Sequence, residues 1–129
     1  NQKDFPSFGW WIEQGATTTW EKWDGKDSRN HPMFGGALTW YYNTLAGVNI
    51  DESKPGYKNV IIRPILVKDL ENITYSKMTP YGMLAVKISH KDFKGEMTVT
   101  IPVGSSATVF LPGIENPRTL VQGTHKIKF

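Results

Sequence analysis

The chain has 129 residues, of which 39% are hydrophobic, and a formal net charge of +3. This length suits one ordinary globular domain, and no apolar run reaches the about eighteen residues that a membrane-spanning helix needs. The absence of cysteine excludes disulfides and thiolate metal sites. The lysines are scattered singly, so neither nucleic acid nor a membrane is expected as a partner.

The N-terminal third of the sequence indicates helices and connecting loops rich in aromatic residues. All five tryptophans lie in the first forty residues. Pro6 and Ser7 predict the start of a first helix, which is expected to stop near Gly15. A second helix is expected to begin at Pro32, which suits the first helical position, and to end at Gly47 as a C-terminal cap.

After Gly47 the sequence changes to short β-rich runs separated by turn residues at intervals of about eight to twelve positions. Leu84, Val86 and Ile88 alternate with smaller or polar residues, as expected of strands with one buried face. The pattern predicts a mainly β fold, with a C-terminal antiparallel β-sandwich of about seven strands. The expected strands are Asn59 to Pro64, Asn72 to Lys77, Met83 to His90, Glu96 to Ile101, Thr108 to Leu111, Thr119 to Val121, and His125 to Phe129.

The two halves of the chain are expected to be different structural units. Two or three helices cannot bury ten aromatic residues without a further layer packed against them. We therefore expect residues 1–47 to complete a larger helical domain and residues 48–129 to form a separate β-sandwich domain. Packing of the helices on the sandwich, as one compact α+β domain, is the alternative.

Helices without their neighbours would expose an apolar surface, and such surfaces are usually covered by self-association. The isolated chain is therefore expected to form a dimer or higher oligomer through residues 5–45, or to be disordered there.

The densest cluster of candidate functional residues lies between Thr17 and Gly25, where Glu21 is bracketed by Trp20 and Trp23. Indole faces stack on the C–H surface of pyranose rings, and a nearby carboxylate can take a proton from water or bind hydroxyl groups. These residue types predict a sugar site. From the residues alone, however, ordinary packing around one satisfied acid is the favoured interpretation.

His31 is a second candidate, because it lies where a loop enters the second helix and is followed by Pro32, which favours an extended conformation before it. A histidine that only caps the helix explains the same position equally well. His90 and His125 lie among polar strand residues and are expected at the surface. The three histidines show no metal-ligand spacing, so no metal or cofactor is expected.

Several motifs resemble the C-terminal part of the bacterial α-L-rhamnosidases, a family of glycoside hydrolases. The most specific are Gln-Gly-Ala-Thr-Thr-Thr-Trp-Glu-Lys-Trp at residues 14–23 and Asn-His-Pro-Met-Phe-Gly at residues 30–35. Pro-Gly-Tyr-Lys at residues 55–58 and Ile-Ile-Arg-Pro at residues 61–64 fit the same family. The strands after residue 82 match more loosely.

The resemblance implies a C-terminal fragment in which a six-hairpin (α/α) catalytic barrel ends near Gly47 and a β-sandwich follows. Enzymes of this kind are inverting glycosidases, which need two carboxyl groups about 6.5–9.5 Å apart. By motif match Glu21 is the general base, His31 hydrogen-bonds the rhamnose, and Trp20 and Trp23 shape the pocket wall. The general acid matches nothing in this chain, so the fragment alone is expected to be inactive. Its implied partners are a rhamnoside substrate and the missing N-terminal part of the same chain.

A non-catalytic carbohydrate-binding or structural module is the alternative function. A pocket that brings Glu21 and His31 together favours the hydrolase, whereas a cleft on the sandwich lined by exposed aromatic residues favours the binding module. Lys22 departs from the arginine that is usual in the family between Glu and Trp, and the connection from Gly25 to Asn30 is short. The loop is therefore expected to differ from that of the family.

Overall fold

A computed structural model describes residues 2–129, and Asn1 lies outside the described residues. The chain forms two compact units, one that ends at Thr39 and one that comprises Trp40–Phe129. We call them the helical unit and the β-domain. The boundary expected between residues 47 and 48 marks the end of the catalytic barrel, whereas the boundary after Thr39 separates two compact units. The expected boundary therefore stays a prediction.

The first helix, α1, spans Phe8–Glu13. Ser7 caps its start, because the Oγ atom accepts a hydrogen bond of 3.0 Å from the backbone N–H of Trp10. This bond satisfies one of the N–H groups that every helix start leaves without an internal partner. Gly15 follows the helix with a φ of 78°. The first predicted helix is confirmed.

The second predicted helix is present but irregular. It consists of a 3₁₀ turn at Pro32–Gly35, a short α-helix (α2) at Gly36–Trp40 and a π turn at Tyr41–Leu45. Two adjacent glycines, which have low helix propensity, lie where the 3₁₀ turn gives way to α2. Gly47 follows with a φ of 70°, which confirms the predicted cap.

Aromatic rings form the core of the helical unit, with Trp11 at its centre. Trp11 is only 2% exposed. The centroid of its ring lies 4.5 Å from that of Trp23 and 5.4 Å from that of Phe34. Its Nε1–H donates a hydrogen bond of 2.8 Å to the carbonyl oxygen of Trp23. Aromatic pairs at such distances add about 0.5–1.5 kcal/mol each to the effect of buried area, so these rings hold the loop that follows α1 in place.

The β-domain contains a six-stranded sheet in the described part of the chain. Its strands are β1 at Val48–Ile50, β2 at Asn59–Ile62, β3 at Asn72–Thr79, β4 at Gly82–Lys91, β5 at Lys94–Val109 and β6 at Arg118–Lys128. The mainly β fold class is confirmed. The sheet has six strands where about seven antiparallel ones were expected, because two pairs of expected strands are continuous and β1 is additional. One pair, β2 with β5, is parallel.

The predicted strands merge at a bulge. The pairing of β5 with β6 shifts in register between Ile101 and Ser106, and Gly104 lies within the bulge with a φ of 83°. Gly123 lies opposite Ile101 in β6 with a φ of 122°. Positive φ values at glycine mark bulges as well as reversals of the chain. The sequence signals for two turns therefore describe one bend shared by two long strands.

The sheet curls at this bend around one core. β6 occupies one edge of β5, while β4 pairs with residues 94–100 and β2 with residues 106–109 of the other edge. The buried hydrophobic side chains of all six strands belong to a single cluster. The two parts of the sheet therefore share one interior.

His90 is buried, with 4% of its surface exposed, and the expectation of a surface position is wrong. It continues the alternation of Leu84, Val86 and Ile88 along the inner face of β4. Its ring stacks on Phe93 with a centroid distance of 6.2 Å, and neither ring nitrogen has a hydrogen-bond partner among the described residues. The alternation of side chains along the strand places His90 on the buried face, although its polar neighbours in the sequence suggested the surface.

Candidate functional site

The segments that carry Glu21 and His31 lie side by side in the helical unit. The backbone N–H of His31 donates a hydrogen bond of 2.8 Å to the carbonyl oxygen of Thr19, and the hydroxyl of Thr19 donates to the carbonyl oxygen of His31. The backbone N–H of Glu21 donates a bond of 2.8 Å to the carbonyl oxygen of Ser28. The two segments therefore run antiparallel. Thr19 lies opposite His31, and Glu21 follows Thr19 by two residues. We call Glu21, His31, Trp20 and Trp23 the Glu21 site.

The loop between the two segments neutralises its own charges. Lys22 forms an ion pair with Asp27, and the hydrogen bond between the two side chains raises the pKa of Lys22. The backbone N–H of Lys26 donates a bond of 3.2 Å to Asp24, which lowers the pKa of Asp24. The lysine that replaces the usual arginine is therefore engaged by the loop and does not pair with Glu21.

Glu21 itself is half-buried. Within residues 2–129 its carboxylate makes neither a side-chain hydrogen bond nor an ion pair. Glu13, the acid on the preceding helix, is instead paired at the surface with Lys3 at 2.8 Å. Because no lysine or backbone amide of the described residues holds it, the carboxylate of Glu21 is available to accept a proton from a water molecule or to bind a hydroxyl group.

His31 has both a structural and a chemical role available to it. It has a φ of −122° and a ψ of 121°, the extended conformation expected before Pro32. Its Nδ1 accepts a hydrogen bond of 3.3 Å from the backbone N–H of Met33 and so caps the 3₁₀ turn. In the neutral ring the proton is then on Nε2, which becomes a donor for a hydroxyl group. The cap fixes the ring orientation, so the two interpretations of His31 are compatible.

The two candidate tryptophans have different surroundings. Trp20 is 5% exposed, and the guanidinium of Arg29 lies 4.7 Å from the centroid of its ring. Gly25 lies directly against the same ring, where an added Cβ atom would approach within 2.6 Å. Trp23 is half-buried and has surface left for contact. The structure thus places Trp20 in the core of the helical unit. The proposed contribution of Trp20 and Trp23 to a pocket wall stays a prediction.

Two supporting residues were not identified from the sequence. Trp11 anchors the loop through Trp23, and its three-residue spacing from Phe8 on α1 was the available signal, since such residues share a helix face. Arg29 covers Trp20 and donates from Nε to the carbonyl oxygen of Gly25 at 3.0 Å. No sequence pattern pointed to this contact, because it depends on how the loop folds back.

A separate groove of about 940 Å³ lies in the β-domain. Three tyrosines contribute to its walls, together with several polar side chains. The tyrosines come from the π turn, from the connection between β1 and β2, and from β3: Tyr42, Tyr57 and Tyr75. This groove was not predicted, because its lining residues are distant from one another along the chain.

Residues 2–129 contain no cluster of three or more histidine, aspartate or glutamate side chains placed to hold a metal ion. No helix in this part of the chain combines the length and the apolar character needed to cross a bilayer.

Comparison with known proteins relates both units to one family. Residues 47–128 match the family model of the bacterial α-L-rhamnosidase C-terminal domain, and residues 1–45 match that of the bacterial α-L-rhamnosidase six-hairpin glycosidase domain. An α-L-rhamnosidase of Streptomyces avermitilis is 29% identical over 97% of this chain. The chain spans only 13% of the length of that relative.

Solved structures of α-L-rhamnosidases are similar to this chain as well. The α-L-rhamnosidase of Aspergillus terreus superposes with a TM-score of 0.85 at 26% identity, over 99% of this chain and 16% of that one. The α-L-rhamnosidase of Dictyoglumus thermophilum gives a TM-score of 0.82 at 29% identity, over 99% of this chain and 18% of that one. The similarity therefore extends over both units.

Proposed function

The chain belongs to the bacterial α-L-rhamnosidases, and from this premise we propose that it is the C-terminal portion of an inverting glycoside hydrolase that releases terminal α-L-rhamnose. In this proposal the chain carries the general base, and the general acid lies in a part of the enzyme outside this sequence. The observation that supports it is the carboxylate of Glu21, which has no ion-pair partner within the described residues and lies on a segment hydrogen-bonded to the segment of His31.

The chemistry assigns one proton transfer to this chain. Glu21 removes a proton from a water molecule while the water oxygen bonds to the anomeric carbon, on the face opposite the leaving group. The bond between the anomeric carbon and the leaving oxygen breaks, and the external acid protonates that oxygen. An α-linkage attacked in this way yields β-L-rhamnose as the first product.

His31 and Trp23 orient the substrate in this proposal. The Nε2–H of His31 donates to a rhamnose hydroxyl, because Nδ1 is occupied by the N–H of Met33. The partly exposed ring of Trp23 contributes to the pocket wall. The buried ring of Trp20, which contacts Gly25 and Arg29, supports the loop on which Glu21 lies.

The domain organisation follows the same proposal. Residues 1–47 form the terminal helical segment of the (α/α) barrel, and residues 48–129 form the C-terminal β-sandwich domain. The partner of residues 1–47 is the N-terminal part of the same polypeptide. The family-model matches at residues 1–45 and 47–128 support this division.

The isolated 129-residue chain is expected to have no measurable rhamnosidase activity, because one carboxylate cannot both activate water and protonate the leaving group. The measurement is nitrophenol release from 4-nitrophenyl α-L-rhamnoside, with the longer parent enzyme as the positive control. The parent should release β-L-rhamnose first, as seen by proton NMR. Turnover by the purified chain, or initial release of the α-anomer, would contradict the proposal.

The isolated chain is also expected to self-associate through residues 5–45. Large apolar side chains on the helical unit are more than 40% exposed, namely Phe5, Phe8, Ile12, Met33 and Leu38. Sedimentation velocity should show a dimer or larger species, and Ile12→Asn should shift it toward monomer. Val121→Asn, at an exposed position of β6, serves as the matched control. A monomer at every concentration tested would refute this expectation.

A carbohydrate-binding module is the second candidate function. One observation favours it, namely the tyrosine-lined groove in the β-domain. The two functions are compatible, because the groove and the Glu21 site use different residues.

A further inference from the structure

We propose that the groove of the β-domain is a binding subsite for a neutral oligosaccharide. The class of ligand rests on the proposed function, since a rhamnosidase acts on saccharides. The subsite deepens the second candidate function, because it names the class of ligand and the residues of the β-domain that would bind it.

A fixed aromatic surface forms one part of the groove. Tyr42 is 51% exposed, whereas Tyr75 beneath it is only 7% exposed. Their rings meet edge to face, with centroids 5.7 Å apart and an interplanar angle of 76°. Tyr75 is thus anchored in the core and supports Tyr42. An exposed ring held in one orientation is the feature that stacks on the C–H face of a pyranose.

Tyr57 adds a second ring from a strained turn. Its φ is 66°, and Gly56 before it has a φ of 73°. A tyrosine rarely adopts this left-handed conformation, and such strain is concentrated at functional sites. The Nζ atom of Lys77 in β3 lies 5.1 Å from the centroid of the Tyr57 ring, a cation–π contact that favours this position of the ring.

The polar groups of the groove suit hydroxyl groups better than charges. Asn49 donates from Nδ2 to the carbonyl oxygens of Asn43 at 3.0 Å and Gly47 at 3.1 Å. These bonds orient the amide, and its Oδ1 accepts no bond within residues 2–129. Lys77 and Glu52 contribute one positive and one negative charge to the lining. The balance of charge favours an uncharged ligand rich in hydroxyl groups over a phosphate or an acidic sugar.

The volume indicates more than one sugar ring. Pockets for small ligands measure about 300–1,000 Å³, and this groove of about 940 Å³ is near the upper limit. We therefore expect a disaccharide to bind more tightly than a monosaccharide. The occupant we propose is an uncharged saccharide of at least two rings.

The test uses saturation-transfer NMR on the 129-residue chain. It compares binding of a disaccharide, rutinose, with binding of a monosaccharide, L-rhamnose. Rutinose should bind at least threefold more tightly than L-rhamnose, and Tyr42→Ala should weaken rutinose binding at least fivefold. Tyr41→Ala is the matched control, because Tyr41 is equally exposed at 52% but does not line the groove. It should change binding by less than twofold.

A second variant protects the test against misfolding. Tyr57→Gly removes the ring and also suits the positive φ at this position, so the fold should tolerate it. Rutinose binding that survives both variants would overturn the subsite, as would the absence of any binding. Binding that is lost with His31→Ala but kept with Tyr42→Ala would place the sugar at the Glu21 site and also overturn it. None of these results bears on catalysis by Glu21, which is measured as turnover in the parent enzyme.

Discussion

Replacement of Glu21 by glutamine in the longer parent enzyme is expected to lower kcat by about 10²- to 10⁴-fold, the usual contribution of a positioned acid or base. Glutamine keeps the size and polarity of the side chain but cannot accept the proton of the attacking water. In the described residues the carboxylate has no ion-pair partner, so the substitution breaks no salt bridge. KM should change little, because substrate binding does not need the negative charge.

The pH profile provides an independent readout of the same substitution. Loss of the base should remove the acidic limb of the profile of kcat/KM, since that limb reports ionisation of the essential base in the free enzyme. Glu13→Gln is the matched control, because Glu13 is an exposed acid paired with Lys3 at 2.8 Å. Its kcat should stay within about twofold of the parent value. A loss of less than tenfold for Glu21→Gln would mean that another residue activates the water.

Gly47→Ala is expected to destabilise the β-domain by about 3–5 kcal/mol, at the upper end of single substitutions. Gly47 has a φ of 70°, a conformation that costs an alanine roughly 1–2 kcal/mol. An added Cβ atom would also lie 2.1 Å from the carbonyl carbon of Arg63 and 2.2 Å from the nitrogen of Pro64. These are backbone atoms in a connection bonded to Gly47, whose carbonyl oxygen accepts from the N–H of Arg63 at 2.9 Å.

Urea denaturation followed by circular dichroism measures this effect as a lower midpoint. Gly113→Ala separates the conformational cost of Gly47→Ala from the cost of its steric clash. Gly113 has a similar φ of 72°, but no atom of the described residues lies within 4 Å of the added Cβ. It should cost only the conformational part, about 1–2 kcal/mol. Equal losses for the two variants would show that the backbone at Arg63 moves aside without penalty.

Local features of the fold could be predicted from the sequence wherever the signal is contained within a few residues. Ser7 predicted the start of α1, and Gly47 predicted the end of the second helical segment. The alternation around Val86 predicted the inner face of β4. Each of these depends on a cap, a positive φ or a period of two, which are properties of neighbouring residues.

Features that depend on distant segments were missed. Gly104 gives the same local signal in a bulge as in a turn, and only the register of β6 against β5 distinguishes the two. The parallel pairing of β2 with β5 joins residues far apart in sequence. His90 was placed at the surface although the strand period put it inside.

The candidate site also combines features that local sequence predicts with features that depend on distant segments. The residues alone favoured simple packing for the indoles, and Trp20 is indeed buried at 5% exposure. The neighbouring position of Glu21 and His31 depends on backbone bonds across a loop, such as that from His31 to Thr19. The residue pattern alone made Glu21 and His31 candidates, and the family resemblance supplied the role expected of each. The groove around Tyr42 carried no sequence signal, because its three rings come from separate elements.

The 16-residue strand β5 has a consequence for how the β-domain opens. Since one strand and one hydrophobic core serve both parts of the sheet, opening either part exposes the core that the other part needs. The domain should therefore melt in a single all-or-none transition, without a half-open intermediate. Amide protons along β5 would then exchange with solvent only when the whole β-domain unfolds.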